Sequence, residues 1–177
     1  PFLIYDQQTV FKIKEKPDDL AELLRQADQM LLESLYPESY CDSSLEQFSQ
    51  DGMRMDKSHG IDRGNFTKWN SRYHDPGNQL CRFAEVLGTA YCVTGKEKYA
   101  DALKKAMLYY AKYGSWVGPE CKVKDPTWQS ELNTGRFIYG YALGADAIAP
   151  VLTTEEWIVI TDTVWNKGIA CILHDWL

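Results

Sequence analysis

Two groups of side chains in this sequence carry the means for recognition and proton transfer. Trp69, Asn70, Arg72, Tyr73 and His74 form its densest polar and aromatic cluster. Arg72 can hold a carboxylate and His74 can carry a proton near neutral pH. The second group is Trp128, Gln129, Glu131, Asn133 and Arg136. There Arg136 can grip a carboxylate with two parallel hydrogen bonds, the amides of Gln129 and Asn133 suit hydroxyl groups, and Trp128 can stack on an apolar ring face. Each residue also has an ordinary structural reading. Arg136 can pair with Glu131 or Asp146, Trp128 can be a core or staple residue, and His74 beside Asp75-Pro76-Gly77 can be a solvated turn histidine. His59 reads as a loop residue. His174 sits at a helix end, although Asp175 beside it raises the thought of an oriented base. Tyr109, Tyr110, Tyr113 and Trp116 read either as a stacking platform or as the core and rim of a helix end.

The elements that must position these groups are helices. Leu80, Phe83, Ala84, Leu87 and Tyr91 recur at helical spacing, and so do Tyr99, Ala102, Leu103, Ala106 and Tyr110. A second pair places Leu132, Gly135, Tyr139, Ala142, Leu143 and Asp146 before a turn, and Trp157, Ile160, Val164 and Gly168 after it. In both turns a threonine precedes a glutamate by three residues (Thr94 and Glu97, Thr153 and Glu156), which predicts a capping box at each helix start. Asp146, at its helix end, is expected to bond the following turn. Ahead of these pairs, Leu20, Leu23, Leu24, Ala27 and Leu31 give an amphipathic helix that starts at Asp18 and ends before Pro37. Residues 1–16 read as an irregular N-terminal arm, extended or a short strand, ahead of one domain over 17–177. Residues 37–76 and 114–127 read as long connections.

Composition excludes several classes. The chain has 177 residues and ordinary apolar and charged fractions, enough for one domain with a core. Its net charge of -6, with no basic stripe interleaved with aromatics, argues against a nucleic-acid partner. No apolar run approaches a membrane span. The five cysteines form no CxxC or zinc-type cluster and read as small buried residues. Cys81 and Cys92 stand about 16 Å apart along one expected helix, too far to bridge. With no metal-ligand spacing, phosphate loop or GxSxG elbow, neither a metal nor a cofactor is expected.

The segment Leu87-Gly88-Thr89-Ala90-Tyr91-Cys92-Val93-Thr94-Gly95-Lys96-Glu97-Lys98-Tyr99-Ala100 resembles a turn of the α/α-toroid polysaccharide lyases of the heparinase II/III and oligoalginate-lyase type. Gly135-Arg136-Phe137-Ile138-Tyr139-Gly140-Tyr141-Ala142-Leu143-Gly144-Ala145-Asp146, continuing into Leu152-Thr153-Thr154-Glu155-Glu156-Trp157, resembles the helix that follows in that family. The resemblance covers roughly residues 69–170 and implies an all-α fold of antiparallel helical hairpins forming part of an incomplete (α/α) toroid. It implies cleavage of uronic-acid polysaccharides by β-elimination in a periplasmic or extracellular enzyme. Its substrate-binding residues here would be Trp69, Arg72, Trp128, Gln129, Glu131, Asn133 and Arg136, with His74, Arg72 and Tyr73 as the local catalytic candidates. The family's Asn-His motif has no counterpart in these residues. By this resemblance the acid and base therefore lie beyond Leu177, and this stretch supplies the cleft. The partner is an anionic polysaccharide or oligosaccharide, and an incomplete ring would self-associate through an exposed flank. Two other readings stand beside it: a glycoside hydrolase such as an unsaturated uronyl hydrolase on the same toroid, and a non-catalytic helical-repeat module that binds glycan or protein.

Overall fold

The computed structural model describes residues 4, 6–38, 55–56, 60–61, 66–118, 121 and 125–177, with backbone alone for 7, 9, 55–56, 60–61 and 66–73. These residues are helical throughout, apart from connections and a two-residue antiparallel pairing of Met55–Asp56 with Gly60–Ile61.

The first departure from expectation is α1, Gln7–Lys14, in a segment that reads as an extended arm. Its Val10 and Ile13, one helical turn apart, are partly covered. Helix α2, Pro17–Met30, begins with a proline whose missing N–H costs nothing there, and Asp18 and Asp19 suit the positive end of the helix dipole. Ala27 and Met30 are buried on its inner face.

Helix α3, Phe66–Phe83, overturns a second expectation, because it runs through residues 66–76 of the supposed connection. Asp75-Pro76-Gly77 looks like a helix break, and Pro76 does delete one backbone hydrogen bond. Yet Pro76 and Gly77 are both buried inside the helix. Pro76, Gly77 and Leu80 all lie on the buried side, so tertiary packing there overrides the local signal. A π-helical turn, Ala84–Gly88, leads into α4, Thr89–Thr94.

Thr94 does not form the expected capping box. It is the last residue of α4, and its hydroxyl donates to Ala90 O at 2.6 Å and accepts from Lys96 N at 3.2 Å. Gly95 stops the helix with φ of 69°, its N–H returning to Tyr91 O at 2.7 Å. A side chain at that φ would be strained, so the Thr-Gly pair acts as a helix terminator here. Helix α5, Glu97–Tyr110, then starts with no side-chain cap. After α6, Leu132–Ile148, and a 3-10 turn, Ala149–Val151, the second expected box does form. Thr153 N donates to Glu156 Oε2 at 2.9 Å and Glu156 N to Thr153 Oγ1 at 3.2 Å, opening α7, Thr154–Val164. A second π turn, Trp165–Ile169, joins α7 to α8, Ala170–Trp176.

The core joins Leu80, Phe83, Ala84 and Leu87 to Tyr99, Leu103, Met107 and Tyr110 of α5 and to Phe137, Tyr141 and Ile148 of α6. Here the stripe expected on α6 holds at Leu143 and is corrected at its first half. Leu132, Gly135, Tyr139 and Ala142 face solvent, whereas Asn133, Phe137, Gly140, Tyr141 and Gly144 face inward. The helix is apolar nearly all round, so periodicity cannot choose its buried side; small residues can. A Cβ at Gly140 would stand 2.8 Å from Leu80 Cγ and 3.1 Å from Cys81 N, so α3 and α6 cross with backbones close together.

Polar bonds fasten the periphery. Tyr110 OH donates to Gln79 Oε1, and Gln79 Nε2 donates to Glu33 Oε2 and Ser34 O, both at 3.1 Å. Asp28 accepts from Lys98 and from Tyr99 OH, which together hold its carboxyl below the usual range. Cys81, Cys92 and Cys171 are free thiols. Among the described residues no helix is long and apolar enough to cross a membrane. Gly140→Ala is predicted to cost about 1–3 kcal/mol through overpacking, while Gly135→Ala, with open space around it, should be neutral or raise stability by up to about 1 kcal/mol. Thermal melting of the two variants checks this.

Candidate functional site

The α3–α6 crossing gathers four of the sequence-predicted residues. His74 Nε2 lies 3.6 Å from Glu131 Oε2, with only 6% and 10% of these side chains exposed. That separation suits an ion pair when the imidazole is protonated and is longer than a hydrogen bond. The other oxygen, Glu131 Oε1, accepts Gly118 N at 3.2 Å, and Glu131 N donates to Thr134 Oγ1 at 3.1 Å, which starts α6. The turn-histidine reading of His74 therefore fails.

One turn further on, Asn133 Nδ2 donates to Trp116 O at 3.0 Å. Gly77 lies against both Asn133 and Arg136, and any Cβ there would collide with Asn133 Oδ1. Neither expected structural partner holds Arg136. Glu131 is turned to His74 and Gly118, and Asp146, at the far end of α6, accepts Ile4 N at 3.0 Å rather than only serving its own turn. Arg136 Nη1, Asn133 Oδ1 and Trp116 Nε1 are buried with no hydrogen-bond partner among the described residues. A buried guanidinium nitrogen left open carries a cost that a bound acceptor would relieve.

The remaining predicted residues divide. Trp128 is 44% exposed and Gln129 is exposed, so the indole is not a core residue. Trp69, Arg72 and Tyr73 lie on the α3 backbone within two turns of His74, and their side chains fall outside the described residues, as does His59. Tyr110, Tyr113 and Trp116 are buried, with edge-on tyrosines 5.2 Å apart and Trp116 stacked on Phe137 at 4.8 Å. They form core rather than a platform. Among the described residues no cluster could hold a metal ion.

Asp175 stands out in the sequence as the neighbour of His174, not as a loop anchor. Its carboxylate accepts Gln129 N at 2.9 Å, Ser130 N at 2.7 Å and Ser130 Oγ at 2.7 Å, so α8 grips the backbone just before Glu131. Burial alone would raise its pKa. Bonds from Ser130, His174 and the two backbone N–H groups prevail and set it at about 2. Only the His-Asp adjacency marked it in the sequence; its partners are 45 residues away.

Comparison with family models, with curated proteins and with solved structures gives no match to this chain.

Because the folded pKa of Asp175 is depressed, its stabilisation is full above an ordinary aspartate pKa of about 4 and is lost as pH falls through about 2. Asp175→Asn at neutral pH is expected to remove about 1.5–3 kcal/mol locally and to speed amide hydrogen exchange at Gln129 and Ser130. Unchanged exchange there would mean that the carboxylate does not hold the loop.

Proposed function

We propose that this chain forms the substrate cleft of a polysaccharide lyase that cleaves uronic-acid polymers by β-elimination. The observation that carries the reading is the buried Arg136 Nη1 with no partner among the described residues, on the helix that Glu131 caps and against Gly77 of the helix that carries His74. A guanidinium held in a covered site suits a uronate carboxylate better than a neutral hydroxyl. Neutralising that carboxylate is what acidifies the neighbouring C5 proton, and donors in a water-poor site do so most strongly. Trp128, exposed on the loop before α6, offers a ring face to a sugar. Helices arranged as part of an (α/α) toroid would present these groups on a concave side. A polymeric substrate implies a periplasmic or extracellular protein.

The glycoside hydrolase reading is supported by one feature, the enclosed Glu131 carboxylate, since that chemistry needs carboxyl groups facing the sugar. The exposed residues Ile158, Trp165, Ile169, Leu173 and Trp176 along α7 and α8 support self-association. Sedimentation should then show a concentration-dependent mass that Trp165→Glu with Trp176→Glu reduces.

Binding tests the cleft directly. Oligosaccharides of heparan, hyaluronan, chondroitin and alginate are titrated by calorimetry against the protein and against Arg136→Gln. The expected result is binding of at least one uronate oligosaccharide, weakened by about tenfold or more in the variant. Binding that ignores Arg136, or no binding to any of the four, would sink the proposal. Ultraviolet absorbance of the unsaturated uronyl product separates lyase from hydrolase activity in the same samples.

A further inference from the structure

The segment Trp128–Glu131 carries a histidine–carboxylate pair at each end. At its C-terminal end Glu131 meets His74 inside the fold. At the other, Asp175 holds the backbone of Gln129 and Ser130 and also meets His174, with Nδ1 to Oδ1 at 3.1 Å. The two pairs differ in access. His74 is buried, whereas the His174 side chain is 58% exposed and the Asp175 side chain only 6% exposed. A carboxylate can only accept, so the imidazole nitrogen facing it carries the proton. Nε2 is then a directional acceptor turned away from Asp175. The loop whose backbone Asp175 holds also presents Trp128, 44% exposed, and the exposed side chain of Gln129.

An exposed aromatic ring, an amide and an oriented imidazole are the groups that bind a pyranose. The ring stacks on its C–H face, and the polar groups take its hydroxyls. We propose that His174, oriented by Asp175, together with Trp128 and Gln129 forms an outer pyranose subsite on the loop that leads into the helix of Arg136. This inference rests on the cleft reading for its ligand class, and it adds residues of the last helix to the binding surface. Asp175 acts through His174 and the loop, so it is a positioning residue, while His174 is the ligand-contacting one.

The test compares a one-ring probe, methyl glucuronide, with a hyaluronan tetrasaccharide and an alginate tetrasaccharide. Binding is measured by calorimetry for the wild type, Arg136→Gln, Arg136→Lys, Trp128→Ala and His174→Ala. Removing one stacking or one hydrogen-bonding group is expected to weaken tetrasaccharide binding by about five- to tenfold in Trp128→Ala and His174→Ala while leaving methyl glucuronide unchanged. Both Arg136 variants should weaken every probe. His174 also bonds Asp175, so its alanine variant should melt slightly below the wild type but in one cooperative transition, which separates lost contact from lost fold. Imidazole nitrogen NMR on the wild type should show the Nδ1–H form of His174, and Asp175→Asn should lose that preference. Tetrasaccharide binding that ignores His174 and Trp128, while Arg136 still matters, would overturn the outer subsite alone. Dependence on His174 without dependence on Arg136 would overturn the cleft reading and keep the surface subsite. Failure of all three probes to bind would overturn both.

Discussion

The close crossing of α3 and α6 is the constraint on which the rest depends. Gly140 lets the two backbones approach at Leu80 and Cys81, and Gly77 lets α3 lie against Asn133 and Arg136 a turn and more away. Two small residues, one on each helix, thus set the distance at which His74 meets Glu131. Larger side chains would push the helices apart, because packed interiors have little slack to absorb an added methyl group. The covered polar cluster is therefore a by-product of how closely two apolar helices can pack. Its unmet hydrogen-bonding capacity is stabilised indirectly by the surrounding core of Phe137, Tyr141, Leu80 and Tyr110.

Much of the framework is legible from the chain. The stripes on residues 80–91 and 99–110 and the Thr153 box need only local sequence, since both depend on contacts within a few residues. What misleads is competition between local signals. Thr94 followed by Gly95 satisfies a start signal and a stop signal at once, and the left-handed glycine wins because no other residue type adopts that conformation so cheaply. Pro76 shows the reverse case, in which a strong local breaker is overridden because its ring is buried on the packed side of α3. On α6 the uniform apolarity leaves the phase undetermined until a partner helix is present.

The site is legible only in its parts. Arg136, Asn133, Glu131 and His74 stand out by residue type, yet nothing local says that positions 74 and 131 touch. Asp175 is harder still. Its role arises from bonds to main-chain groups, which have no residue-specific signature in a sequence. Functional carboxylates that serve the backbone of a distant loop look like any other acidic residue near a helix end.

The π turn at Trp165–Ile169 gives the last helix its phase. One residue beyond the α-helical count is accommodated there, and every later side chain is rotated by about 100° relative to an uninterrupted helix. With that offset in place Asp175 faces Gln129 and Ser130. The bulge thus acts as an indexing step. Gly168 seats it against Ile138 and Trp116, so the angular setting of the chain's final turn is read from the same aromatic layer that lies beneath Asn133.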